Sequence, residues 1–191
     1  NSGNDSIQFL KDAYVTGQVD MGAGSDSIYA ADVLSGPAGG SISGGAGADT
    51  FLISTLSETA IYGGTGQDSI NISGSLYGAT VDFGEGAEQF TLTVGSTVAN
   101  IQGGSGNDTF VVNTAGLMTG TTMGGGAGND SVSLGVVLSG NSIRGGNDHD
   151  TLRFAAGVNN GAIVSGDAGS DLLLFSSTVA AAGVYGGGDG D

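Results

Sequence analysis

Residues 103–112 read GGSGNDTFVV. Glycine and small polar residues run down to Asp108, and an apolar stretch begins at Phe110. The same juxtaposition returns along the whole chain. Anchored on the acid that closes each glycine-rich stretch, the copies fall at Asp5, Asp26, Asp49, Asp68, Glu88, Asp108, Asp130, Asp150, Asp171 and Asp191. Their gaps are 21, 23, 19, 20, 20, 22, 20, 21 and 20 residues. A fixed period of this size marks a repeat architecture, in which one unit cannot bury its apolar face alone but stacked units can.

Stacking the copies produces columns. Two residues after the anchor stand Ile7, Ile28, Phe51, Ile70, Phe90, Phe110, Val132, Leu152 and Leu173. Four after it stand Phe9, Ala30, Ile53, Ile72, Leu92, Val112, Leu134, Phe154 and Phe175. The residue between is often polar (Gln8, Asn71, Thr91, Ser133, Arg153), which is the period-two pattern of a strand with one buried face. Seven residues before the anchor, Val19, Ile42, Ile61, Val81, Ile101, Met123, Ile143, Val164 and Val184 predict a second strand. A small or polar column precedes it by two residues, from Gly17 and Gly40 to Ala182. A further apolar position follows the anchor by about eight residues (Leu34, Leu56, Leu76, Leu117, Leu138, Val158, Val179), in the segment that absorbs most of the length variation. The prediction is an all-β, right-handed parallel β-solenoid: one continuous array over residues 1–191, of about nine coils with two strands each. Coils should rise by about 4.8 Å, the usual strand spacing. No helical periodicity competes, and glycine would penalise helix by up to about 1 kcal/mol per residue.

The loops read MGAGSD, GGAGAD, GGTGQD, FGEGAE, GGSGND, GGAGND, GGNDHD, GDAGSD and GGGDGD. Glycine at positions one (Gly44, Gly63, Gly103, Gly125, Gly145) and two (Gly45, Gly64, Gly104, Gly126, Gly146), and again at four, permits positive φ and close backbone approach. Such a turn is expected to aim carbonyls inward, with the closing acid adding carboxylate oxygens. Six to eight oxygens of these kinds suit Ca²⁺, whereas Mg²⁺ demands stricter octahedral geometry. The chain has no cysteine and a single histidine, His149, so zinc and copper are poor candidates. The candidate ligands are the ten anchors, the paired glycines and the extra loop acids Asp148, Asp167 and Asp189.

Charge points the same way. Nineteen acids face only Lys11, Arg144 and Arg153, for a net charge of −16. Nucleic acid and anionic lipid both require basic patches and are excluded as partners. Carboxylates stacked at roughly 5 Å would repel by about 3 to 4 kcal/mol per pair at an effective dielectric of 20. One Ca²⁺ in each gap between coils would roughly neutralise the chain. No apolar run is long enough to span a membrane.

At this point GGSGNDTFV and GGAGNDSVS resemble the nonapeptide G-G-x-G-x-D-x-U-x of the RTX (repeats-in-toxin) family. The resemblance covers essentially the whole chain. It implies a Ca²⁺-loaded parallel β-roll, export by type I secretion and a location outside the cell or on a bacterial surface. The motif here comes once per coil rather than every nine residues. That is similar to the one-sided solenoids of surface-layer proteins and adhesins, with calcium along one edge. FGEGAE departs furthest, because it loses the first glycine and closes on Glu88.

The expected function is structural: a calcium-stiffened stretch of an S-layer, surface filament or adhesin stalk. Both ends cut through a loop motif, so the array is expected to continue or to meet another subunit: the expected partners are copies of itself or neighbouring repeats of the same long protein, with polysaccharide anchoring carried elsewhere in the full protein. A secretion and folding module of an exported enzyme or toxin is the alternative. Ice binding would need a rank of threonines at loop position three, and only Thr65 stands there. No catalysis is expected, since His149 sits in a loop and no nucleophile elbow is found. Tyr62 and Tyr185 are expected to be exposed beside the loops.

Overall fold

The computed structural model describes residues 2–37, 39–113 and 116–188. Two predicted ligands, Asp189 and Asp191, lie outside the described residues. The chain is all-β, a right-handed parallel β-solenoid of about nine turns of roughly 20 residues. The repeat columns are the pairing register. Phe90 pairs with Ile70 on one side and Phe110 on the other, and Val81 lies between Ile61 and Ile101.

The strands divide into two sheets. A nine-stranded sheet carries the six-residue segments that run into each loop, such as Asn100–Ser105. A 16-stranded sheet carries the four-residue segments that leave it, such as Thr109–Val112. Both columns that follow the anchor point inward, and Ile28, Phe51, Ile70, Leu92, Leu134 and Leu152 are fully buried. Exposure rises only in the terminal coils, where Phe9, Val19 and Phe175 are partly buried.

Each coil carries three strand segments, not the two that the spacing predicted. The third is two or three residues long, as in Leu76–Tyr77 and Val137–Ser139. In the early coils it is continuous with its predecessor, giving the long strands Ser27–Ser35 and Thr50–Ser57. The sequence hides it because so short a strand shows a single inward residue, which is not enough for an alternation. The same brevity explains a misplaced residue. Leu117 is 55% exposed, and Met118 takes the inward position opposite Leu138. The extra length between Asp26 and Asp49 is absorbed as expected in the variable segment: a bulge between Ala30 and Val33 takes up one residue, and the longer connection from Ser35 to Ser41 takes up the rest.

A corner that no motif announced joins the third segment to the nine-stranded sheet. Ten residues before the anchor the backbone turns left-handed: Glu58 (φ 55°), Gly78 (57°), Val98 (50°), Gly120 (59°), Gly140 (65°) and Ala181 (52°). The amides of Glu58, Gly78, Val98 and Gly120 donate to the next coil, on the carbonyls of Tyr77, Thr97, Thr119 and Ser139 at 2.9–3.2 Å. That ladder holds these four corners in place, glycine or not. Just inside it the small or polar column is buried, and Ser96 and Thr121 share a hydroxyl–hydroxyl bond of 2.9 Å.

Val98 is the corner's misfit. A β-branched residue at positive φ is strained, and at 61% exposure its side chain gains little from packing. Val98→Gly should therefore raise stability by about 1 kcal/mol, the relieved strain exceeding the added chain entropy of glycine. Urea unfolding would read this as a higher midpoint with an unchanged slope; a lower midpoint would show that the corner is not strained.

Candidate cation-binding loops

Each loop is built on backbone laid against backbone. Among the described residues, positions two and four have positive φ, as at Gly45 (106°), Gly47 (128°), Gly104 (103°) and Gly106 (130°). A Cβ on Gly45 would collide with the Gly22 carbonyl, and one on Gly104 with that of Gly84. The carbonyls of these positions thus run along the stack onto the next glycine, not inward as the loop pattern suggested. At position three the carbonyl accepts from the position-four amide one coil earlier, as in Gly47 N–H to Thr65 at 2.7 Å.

The non-glycine exceptions keep this geometry. Asp148 at position four has φ 75° and Asp167 at position two has φ 72°. Neither carboxylate joins the anchors. Asp148 Oδ2 accepts from the Gly128 amide at 3.2 Å. Asp167 Oδ1 accepts from Ser165 and pairs with Arg144 at 3.0 Å, an exposed contact of small energetic weight.

The anchors turn inward. Asp26, Asp49, Asp68, Glu88, Asp108, Asp130 and Asp150 are all at most 2% exposed. Their Oδ1 atoms form a ladder that runs backwards along the solenoid. Asp26 accepts from the Asp5 amide at 2.7 Å, Asp49 from Asp26 at 2.7 Å and Asp68 from Asp49 at 2.8 Å. Beyond Glu88 the pattern resumes, with Asp108, Asp130, Asp150 and Asp171 accepting from the anchor before each at 2.8–2.9 Å. A second, exposed ladder runs forwards at position five: Asn107 accepts from Asn129, Asn129 from His149, and His149 Nδ1 from the Ser170 amide at 3.0 Å. His149 is a turn residue in that ladder.

The second carboxylate oxygen is left over. Oδ2 of Asp26, Asp49, Asp68, Asp108, Asp130 and Asp150 is buried without a hydrogen-bond partner, as are both oxygens of Glu88. Position one explains where these oxygens sit. A Cβ on Gly44 would strike Asp49 Oδ2 and the Gly63 carbonyl; one on Gly103 would strike Asp108 Oδ2 and the Gly125 carbonyl. The missing side chain therefore leaves a cradle, where a carboxylate oxygen and a carbonyl of the next coil converge. Gly125 and Gly145 repeat it with Asp130 and Asp150.

Unsatisfied buried carboxylates resist ionisation. Burial, reinforced by neighbouring anchors, raises Asp49 and moves Asp68 and Asp150 up to about 6 and Asp130 up to about 7. Glu88 moves furthest, to about 9, through burial, its contact with Asp108 and the charges of Asp108, Asp68 and Asp130. Among the described residues no three His, Cys, Asp or Glu side chains converge on one point. The donors on offer are hard oxygens, one carboxylate per coil with backbone carbonyls. That set matches Ca²⁺ and offers nothing soft.

Compared with protein-family models, curated proteins and solved structures, the chain finds no match in any of the three. Among the described residues no helix is long and apolar enough to cross a membrane. Tyr62 and Tyr185 are 40% and 58% exposed, as their positions predicted.

Sequence reasoning found the anchors but missed the role of position one. Phe83 carried the signal: it is the one phenylalanine outside the two inward columns, and it is fully buried.

Two outcomes follow from this geometry. Gly104→Ala, which meets a backbone carbonyl and must hold φ near 103°, should cost about 3 kcal/mol in strain and overpacking. Gly17→Ala, which meets nothing within 4 Å, should be nearly neutral, and equal losses from the two would refute the stacking argument. The pH dependence has a definite sign. A carboxyl whose folded pKa is raised favours folding fully below its unfolded value near 4, and that contribution is lost as pH rises through the folded value. In a chelator, the melting midpoint should thus fall between pH 5 and pH 8, as Asp68, Asp130 and Asp150 pass through about 6 to 7. A midpoint that rises over that range would overturn the buried-file picture.

Proposed function

We propose that this chain is an extracellular structural repeat segment of a bacterial surface protein, an S-layer, filament or adhesin stalk, whose loops bind Ca²⁺. One observation carries the reading: in a file of buried aspartates, Asp49, Asp68, Asp108, Asp130 and Asp150 each set one oxygen on a backbone amide and the other, unpartnered, beside a carbonyl of the next coil. At neutral pH such a file needs protons or cations. Outside a cell, where calcium is plentiful, a divalent cation shared between a carboxylate and neighbouring carbonyls answers the need without lowering the pH.

The anchor acids would hold the ion, and the position-one carbonyls would complete its oxygen shell. Bound calcium supplies positive charge that offsets carboxylate repulsion along the edge. Because each coil touches only its neighbours, an ion between two coils stiffens the stack locally and the effect adds along its length. Binding energy in such a site is also folding energy. A chain with a net charge of −16 is then kept extended by its own repulsion where calcium is scarce and folds where it is abundant. That suits a protein secreted unfolded.

Asp108→Asn tests the reading. Asparagine retains an oxygen for the Glu88 amide and removes the buried charge. In chelator at pH 8 the variant should melt at or above the wild-type temperature. In millimolar calcium its gain in midpoint should be clearly smaller than that of wild type. Equal calcium-induced gains in the two proteins, or none in either, would sink the proposal.

A further inference from the structure

The file of anchors is not uniform, and the coil that breaks it changes two positions together. Loop 83–88 has Phe83 where its neighbours have glycine and Glu88 where they have aspartate. Phe83 is fully buried, and its ring meets those of Phe90 and Phe110 edge-on at centroid distances of 6.1 Å. The inward room that glycine leaves open in loops 44–49, 63–68, 103–108, 125–130 and 145–150 is filled here by an aromatic ring. The Glu88 carboxyl lies elsewhere: its Oε1 crowds Gly86 at position four, where Asp49, Asp68, Asp108, Asp130 and Asp150 crowd the glycine at position one.

The amide ladder records the same break. It runs through Asp5, Asp26, Asp49 and Asp68, and again through Glu88, Asp108, Asp130, Asp150 and Asp171. Among the described residues no such bond joins Asp68 to Glu88. The longer glutamate side chain does not present an oxygen to the Asp68 amide as an aspartate would. Met21 also stands at position one, yet Asp26 keeps its bond to the Asp5 amide. A large position-one residue alone does not interrupt the ladder.

From this geometry, and resting on the calcium reading above, we propose that the Glu88 coil is a divider: it takes no calcium and separates the loops into two cation-binding segments, one ending at Asp68 and one beginning at Asp108. Coupling in a solenoid passes only between adjacent coils, so a rung without a shared ion lets each segment load on its own. The Phe83 cluster holds the divider folded by apolar packing while neighbouring coils depend on the ion.

The test uses the whole chain, with calcium counted by equilibrium dialysis and folding followed by circular dichroism during calcium titration. Wild type should load in two resolved steps. The double variant Phe83→Gly/Glu88→Asp, which restores the common loop, should bind one more calcium per chain and load in a single step. Glu88→Gln, which leaves the aromatic cluster intact, should keep the wild-type count and both steps. An unchanged count in the folded double variant, or the loss of a calcium in Glu88→Gln, would overturn the divider while leaving calcium binding standing. No calcium bound by any of the three proteins would overturn the calcium reading, and the divider with it.

Discussion

The fold depends on one close contact: a glycine Cα of one loop resting on a carbonyl oxygen of the loop before it. Positions two and four repeat this contact from coil to coil, and a Cβ added at glycines such as Gly45, Gly64, Gly104 and Gly126 would strike the carbonyl of the coil before; Asp148 and Asp167 are the two described residues that carry one there. Strand pairing alone fixes spacing but tolerates slips of register. Glycine-on-carbonyl stacking does not, because a slip of one residue would bring a side chain under the carbonyl. Every loop therefore locks its coil in phase with the last, and the apolar columns two and four residues after the anchor meet their equivalents across the central coils. The variable segment can then differ in length by several residues, since the phase is reset once per turn.

Locking the loops also decides the fate of the closing acid. With backbone stacked on its outer side, the anchor has only the interior to enter, and the small first position gives it room. Its two oxygens then have different lives. One satisfies an amide of the preceding coil, an interaction that a buried donor requires. The other has no donor at all. A proton, a cation or an amide nitrogen can each neutralise that oxygen, and they compete for the same place. On the proposed calcium reading, this competition would link pH, calcium and stability in one system, and it would arise from the stacking constraint rather than from any special placement of charge.

Much of this was legible in residue order. The period, both principal strands and the inward columns follow from alternation between apolar and polar residues, as at Phe110, Val111 and Val112. The anchors were legible too, because an acid after a glycine run is conspicuous. Three features were not. The third segment, such as Leu76–Tyr77, is too short to alternate. The left-handed corner admits Glu58, Val98 and Ala181 as well as glycine, so composition does not mark it; the amide ladder imposes the conformation. The inward aim of position one is masked by glycine, which shows no side chain to read, and only Met21 and Phe83 betray it. The direction of the carbonyls at positions two and four was misjudged for a related reason, since glycine permits both orientations and packing against the adjacent coil selects one.

The irregularities gather in one region. Phe83, Glu88, Ser96 and Val98 fall within a single coil length, and each replaces a device used elsewhere. A ring substitutes for the glycine cradle, a glutamate for the aspartate of the amide ladder, a hydroxyl pair for an apolar contact, and a strained valine for glycine at the corner. The three-ring cluster of Phe83, Phe90 and Phe110 is the compensation. Aromatic contacts of this kind contribute about 0.5–1.5 kcal/mol each beyond the area they bury. Stabilisation has moved from the polar edge to the apolar interior of the same coil. A solenoid allows that exchange because a coil answers only to its two neighbours, which need from it a matching register and nothing of its loop chemistry. On the proposed reading, the Glu88 coil gives up the ion without giving up the fold, and the segments on either side become separable in what they bind.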